Sequence, residues 1–78
     1  MVVTIRNGSN CLDIKTDEKM KIIDTLAIVA ESGLIKIDKK VKVKAVRENM
    51  DINPKLTFAE NEIYNGDILE IIQTGAER

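Results

Sequence analysis

Seventy-eight residues with 44% apolar content specify one small domain, with enough aliphatic side chains for a core that needs no disulfide or metal. A formal charge of −1, from 12 basic and 13 acidic residues, excludes any global pull toward nucleic acid or an anionic membrane. The absence of His removes the commonest general base and metal ligand, and the single Cys11 excludes an intrachain disulfide.

Phe58 and Tyr64 are the only aromatic residues, so no platform for base stacking exists and nucleic acid is not an expected partner. The first residues, Met1 to Gly8, lack a basic stretch followed by a long apolar core, so they do not read as a signal peptide. No apolar run approaches the roughly 20 residues that span a bilayer. A soluble, cytoplasmic protein without membrane insertion is expected, and a lone thiol fits a reducing compartment.

Val2 to Arg6 is short, β-branched and alternating, which predicts a strand. Asn7-Gly8 suits a hairpin turn, and Asn10 to Lys15 reads as the return strand. Thr16 or Asp17 is the expected N-cap of a helix that runs to about Ser32 and stops at Gly33. At helical spacing Met20, Ile23, Leu26, Ala27, Ala30 and Leu34 share one face, widened by Ile22 and Val29, while Ile28 lies off it. Lys36 to Lys40 is a charged connection. Val41 to Val46 alternates again, with Val43 and either Val41 or Ala45 inward and Lys42 and Lys44 outward. Asn49 to Asn53 suits a short edge strand closed by Pro54. Leu56 to Ile63 reads as a short helical turn, Asn65-Gly66-Asp67 as a turn, and Ile68 to Gln73 as the last and most apolar strand, hence a central one.

An amphipathic helix laid across a mixed sheet is the arrangement that buries the inner face of the first hairpin. This order, with the closing Ile63-Tyr64-Asn65-Gly66-Asp67-Ile68-Leu69-Glu70-Ile71-Ile72, resembles the ubiquitin-like β-grasp superfamily over Val2 to Gln73. The expected fold is α+β: a mixed sheet of four to five strands packed on one helix, residues 1–73, followed by a short tail at 74–78 without Gly-Gly. Within the superfamily the chain looks most like the small YukD/EsaB-type ubiquitin-like proteins of bacterial type VII secretion. Leu56, Ile63, Asn65, Gly66, Asp67 and Leu69 to Ile71 match their terminal pattern, although the Leu56 to Ile63 segment is longer than theirs.

Nothing in the chain assembles a catalytic site. Gly8, Gly33 and Gly66 fall at turns or a cap rather than at phosphate-loop spacing, and Glu60 and Glu62 fall in a polar turn. No catalytic, cofactor-binding or metal-binding residue is assigned, and no cofactor is expected. Cys11 reads as a small residue on an outward strand face, without a neighbour that would activate its thiol. The cluster of Lys36, Lys39, Lys40, Lys42, Lys44 and Arg47 reads either as a solvated surface that blocks edge pairing or as a patch for an acidic partner.

The outer sheet face is the stronger candidate. In the β-grasp strand order it would set Thr4 and Arg6, Ile68 and Ile72, and Lys42 and Lys44 side by side: an apolar centre with a basic rim, the kind of surface through which ubiquitin-like domains bind partners. Arg6, Lys42, Lys44, Ile68 and Ile72 are therefore the expected partner-binding residues. The resemblance implies a non-catalytic protein-interaction module, set as a cytoplasmic accessory or regulator of type VII secretion. An adaptor unrelated to secretion is the alternative. A sulfur carrier or conjugated modifier is disfavoured, because such proteins are activated on a terminal glycine and no Gly-Gly occurs in this sequence.

Overall fold

The computed structural model describes residues 1–33 and 41–73. Leu34, Ile37, Lys36, Lys39, Lys40 and the 74–78 tail therefore lie outside the described residues. In chain order the elements are β1 (Val2–Asn7), β2 (Asn10–Lys15), α1 (Ile22–Ser32), β3 (Val41–Ala45), β4 (Met50–Ile52) and β5 (Ile68–Gln73). The strands form a sheet in the order β2-β1-β5-β3-β4, with β1 and β5 parallel and the remaining pairs antiparallel. The last strand is central, as its apolar sequence predicts, and the mixed sheet on one helix is the expected β-grasp arrangement.

Alternation sends Val3 and Ile5 of β1, Val43 and Ala45 of β3, and Leu69 and Ile71 of β5 into the core. Leu12 and Ile14 of β2 pack against it while partly buried. The helix supplies Ile22, Thr25, Leu26 and Val29, spaced at i, i+3, i+4 and i+7. This differs from the face predicted above. Ile23 is 47% exposed, Ala27 is exposed and Ala30 is half-buried, so the buried stripe is rotated by about a third of a turn. The stripe that faces the sheet buries Ile, Leu and Val side chains where the other would bury two alanines, and larger apolar area gives the larger transfer free energy.

The helix also begins later than the cap signal implies. The Asp17 carboxylate accepts the Lys19 N–H at 2.9 Å and its carbonyl accepts the Met20 N–H at 3.0 Å, so it caps a separate turn. Lys21 stands at the true N-cap with no side-chain cap bond. The donors at the helix start are met from elsewhere in the chain: Ile22 N–H donates to the Leu56 carbonyl at 3.1 Å and Ile23 N–H to the Pro54 carbonyl at 2.8 Å. The sequence-distant 54–56 backbone thus sets both where the helix starts and how it is rotated. At the other end Gly33, at φ 77°, takes the left-handed position that stops the helix, as expected.

Thr57 to Asn61 forms one capped turn. Thr57 N–H donates to Glu60 Oε1 at 2.9 Å, Glu60 N–H donates to Thr57 Oγ1 at 3.0 Å, and Asn61 N–H reaches back to the Thr57 carbonyl at 3.1 Å. These are the reciprocal bonds of a capping box. The turn places Phe58 in the core with no exposed surface, the largest of the fully buried side chains. Phe58 was not among the expected core residues. It is fastened through its N–H to the Met20 carbonyl at 3.2 Å, beside the Lys21–Thr57 bridge.

The closing turn is welded to β1. Val2 N–H donates to Asn65 Oδ1 at 2.7 Å, Gly66 N–H to the Val2 carbonyl at 2.7 Å, and Thr4 N–H to the Asp67 carbonyl at 2.9 Å. Gly66 holds φ 91°, a conformation that a side chain would strain. Asp67 is 2% exposed, and its Oδ2 accepts the Tyr64 N–H at 2.8 Å, which caps the turn. Arg47 Nη2 lies 2.7 Å from Asp67 Oδ1, an ion-pair distance without aligned hydrogen-bond geometry, and offsets the buried charge from the β3–β4 turn.

Candidate protein-binding face

The candidate face is built on β5. Because Leu69 and Ile71 point into the core, Ile68, Glu70 and Ile72 occupy the opposite side. The parallel register sets Thr4 beside Ile68 and Arg6 beside Glu70, and the antiparallel register sets Lys44 beside Glu70 and Lys42 beside Ile72. Farther out, Asp13 faces Thr4, Cys11 faces Arg6 and Asp51 faces Lys44. All of the expected residues, Arg6, Lys42, Lys44, Ile68 and Ile72, therefore share one surface.

Their arrangement differs from an apolar centre with a basic rim. The middle of the face is a row that crosses the sheet as Cys11, Arg6, Glu70, Lys44 and Asp51, with the charges alternating in sign. Arg6 Nη2 is ion-paired and hydrogen-bonded to Glu70 Oε1. That hydrogen bond, with the carboxylate charge behind it, raises the guanidinium above its already high ordinary value and keeps it cationic. Ile68 and Ile72 flank this row about 13 Å apart, four residues along a strand. Ile68 is half-buried, and Val46 N–H donates to its carbonyl at 3.0 Å, whereas Ile72 is 39% exposed. The exposed aliphatic side chains thus lie away from the centre, at the Ile72–Lys42 corner and at Val2 at the start of β1. Glu70, the partner that splits the apolar surface, was legible from the same alternation as Ile68 and Ile72.

Thr4 Oγ1 donates to Asp13 Oδ1 at 2.6 Å, which steadies the β1–β2 side of the face. Cys11 is exposed on the same side, where the alternation of β2 placed it. The face is a sheet surface of ordered charges with exposed aliphatic side chains at Ile72 and, on the outward side of β1, Val2. Among the described residues, no group of three acid, Cys or His side chains is placed to hold a metal ion. No helix among them is long and apolar enough to cross a membrane.

No family model and no curated protein matches the sequence. Solved structures do. ATBAG1, in a crystal structure with HSP70, superposes with a TM-score of 0.80 at 12% identity over 97% of this chain. The match spans only 41% of that longer protein. The N-terminal ubiquitin-like domain of the 4931431F19Rik protein gives a TM-score of 0.74 at 6% identity, covering 100% of this chain and 79% of that one. The EccD5 ubiquitin-like domain from Mycobacterium xenopi gives 0.58 at 22% identity, covering 94% of each. Identities this low speak to architecture, and the architecture agrees with the strand order and packing described above: the chain has the ubiquitin-like β-grasp fold.

Proposed function

We propose that this chain is a non-catalytic ubiquitin-like module that binds a protein partner through the outer face of its sheet, working in the cytoplasm as an accessory or regulator of a bacterial type VII secretion system. The observation that carries the binding reading is the register of β5, which gathers Arg6, Lys42, Lys44, Ile68 and Ile72 on one side of a rigid central strand. Ile72 is the apolar anchor, and Lys42 beside it contributes to encounter rate and salt dependence. ATBAG1, 41% of which matches this fold, was solved with HSP70, which is in keeping with a protein as the kind of partner. The secretion setting draws on the YukD/EsaB-type closing pattern of Leu56, Ile63, Asn65-Gly66-Asp67 and Leu69 to Ile71, and the end-to-end match in fold to the EccD5 domain is in keeping with it.

The test is a pull-down from the native organism followed by affinity measurements on folded Ile72→Asp and Lys42→Glu. Loss of the apolar anchor in Ile72→Asp should cost about 2 kcal/mol or more in binding, while Lys42→Glu should act mainly on encounter rate and salt dependence. Undiminished affinity in folded Ile72→Asp moves the site off this face. A membrane ATPase and small helical WXG-type substrates encoded beside the gene support the secretion setting; their absence favours an adaptor serving another system. Incubation with an activating enzyme and ATP addresses the covalent-modifier rival, and adenylation of the chain would establish it.

A further inference from the structure

A groove of about 210 Å3 lies between β4 and the segment that follows the capped turn, and neither Ile72 nor Lys42 lines it. Its walls carry Met50, 59% exposed, and Tyr64, 57% exposed. Single exposed apolar side chains are ordinary, but two that line the same concavity form a seat for another apolar group. The volume is below the roughly 300–1,000 Å3 of small-molecule pockets, so it suits a side chain or two of a larger partner rather than a whole metabolite. The rim bears Glu48, Glu60 and Glu62, and no Lys or Arg lines the groove; Asp51 also borders it, but its side chain alternates to the outer face opposite Lys44.

These carboxylates are not equivalent. Glu48 lies 3.3 Å from Arg47 Nε, Asp51 sits opposite Lys44, and Glu60 is engaged by Thr57. Glu62, at φ 59°, makes no ion pair among the described residues. The acids do not converge closely enough to hold a metal ion. Carboxylates spread around an apolar seat complement cations that are themselves spread along a chain. We propose that this groove docks a basic segment of a protein partner, with one aliphatic side chain between Met50 and Tyr64 and flanking Lys or Arg side chains facing the rim. The proposal does not rest on the outer-face reading, although the groove adjoins that face at Asp51, opposite Lys44.

The experiment is an amide-shift titration of the full chain with three acetylated, amidated probe peptides: Lys-Lys-Leu-Lys-Lys, Glu-Glu-Leu-Glu-Glu and Lys-Lys-Ser-Lys-Lys. The leucine-centred basic peptide is expected to shift Met50, Glu62 and Tyr64 saturably, with weakening as salt rises. The acidic peptide should leave these signals in place, and the serine-centred peptide should bind at least about tenfold more weakly because it lacks the apolar anchor. Glu62→Gln and, separately, Met50→Ser should each weaken the basic peptide, while Ile72→Asp should not. Shifts centred on Ile72 and Lys42, an equal response to the acidic peptide, or no saturable response overturns the proposal. The Ile72→Asp arm separates its failure from failure of the outer-face reading.

Discussion

The two sides of β5 differ more than their sequences suggest. Leu69 and Ile71 are sealed into the core, whereas Ile68 and Ile72, equally aliphatic, stand on a face organised by the Arg6–Glu70 ion pair. On the inner side, close packing makes every methylene count. On the outer side, charge order and the exposed side chains of Ile72 and Val2 set what the surface offers. One strand therefore serves stability and recognition at alternate positions, and substitutions one residue apart should separate the two.

The sharpest separation comes from Leu69→Ala. It opens a cavity in the sheet centre and should cost about 2–5 kcal/mol in denaturant-monitored stability. A loss near zero would mean that the inner side is not the cohesive one. Next is Asp67→Ala, at the entrance to β5. It strips the Tyr64 N–H of its acceptor and leaves Arg47 paired only with Glu48, and should cost about 1–3 kcal/mol, again read by denaturant unfolding.

A smaller effect is expected at Glu60, remote from either side of β5. Thr57 N–H, and secondarily its hydroxyl, hold the Glu60 carboxyl below its ordinary value of 4.5. A depressed folded pKa contributes stability above the unfolded value, and that contribution is lost as pH falls through the folded one. Glu60→Gln should therefore fall below the parent in stability near neutrality and converge with it as pH drops below 4.5, which flattens its acid limb. An acid limb identical to that of the parent protein would show that the capping-box bonds do not form in solution. The smallest effect closes the comparison: Cys11→Ser, on the exposed outer side, should change stability by no more than about 0.5 kcal/mol. It should leave partner binding intact, and a loss of binding in that variant would give the thiol a role.

Where local rules governed, the sequence was readable. Strict alternation placed β1, β2, β3 and β5, and Asn65-Gly66-Asp67 marked the turn whose side chains and backbone grip β1. The helix register was not readable, because its start is fixed by the carbonyls of Pro54 and Leu56 rather than by its own cap. Asp17 gave a genuine capping signal, but for the preceding turn. Phe58 was obscured by its polar neighbours; its being the only Phe, between Leu56 and Ile63, was the available cue. On the candidate face, alternation identified the residues, but the cross-strand register was needed to show that Arg6 and Glu70 divide the apolar surface. The Met50–Tyr64 groove joins segments that no local pattern relates.

The parallel pairing of β1 with β5 has a consequence in time. Arg6 and Glu70, partners across that pairing, are separated by 64 positions. The sheet's middle strand is thus the last to be synthesised, and until it arrives β1 and β3 have no neighbour to share. On a ribosome emitting roughly 5–20 residues per second, the chain spends several seconds with its hairpin and helix made but no closed sheet. Folding dominated by such distant contacts is slow relative to that of local helical folds. The unfinished inner face, with Val3, Ile5 and Val43 still open to solvent, is then the surface that chaperones would meet first.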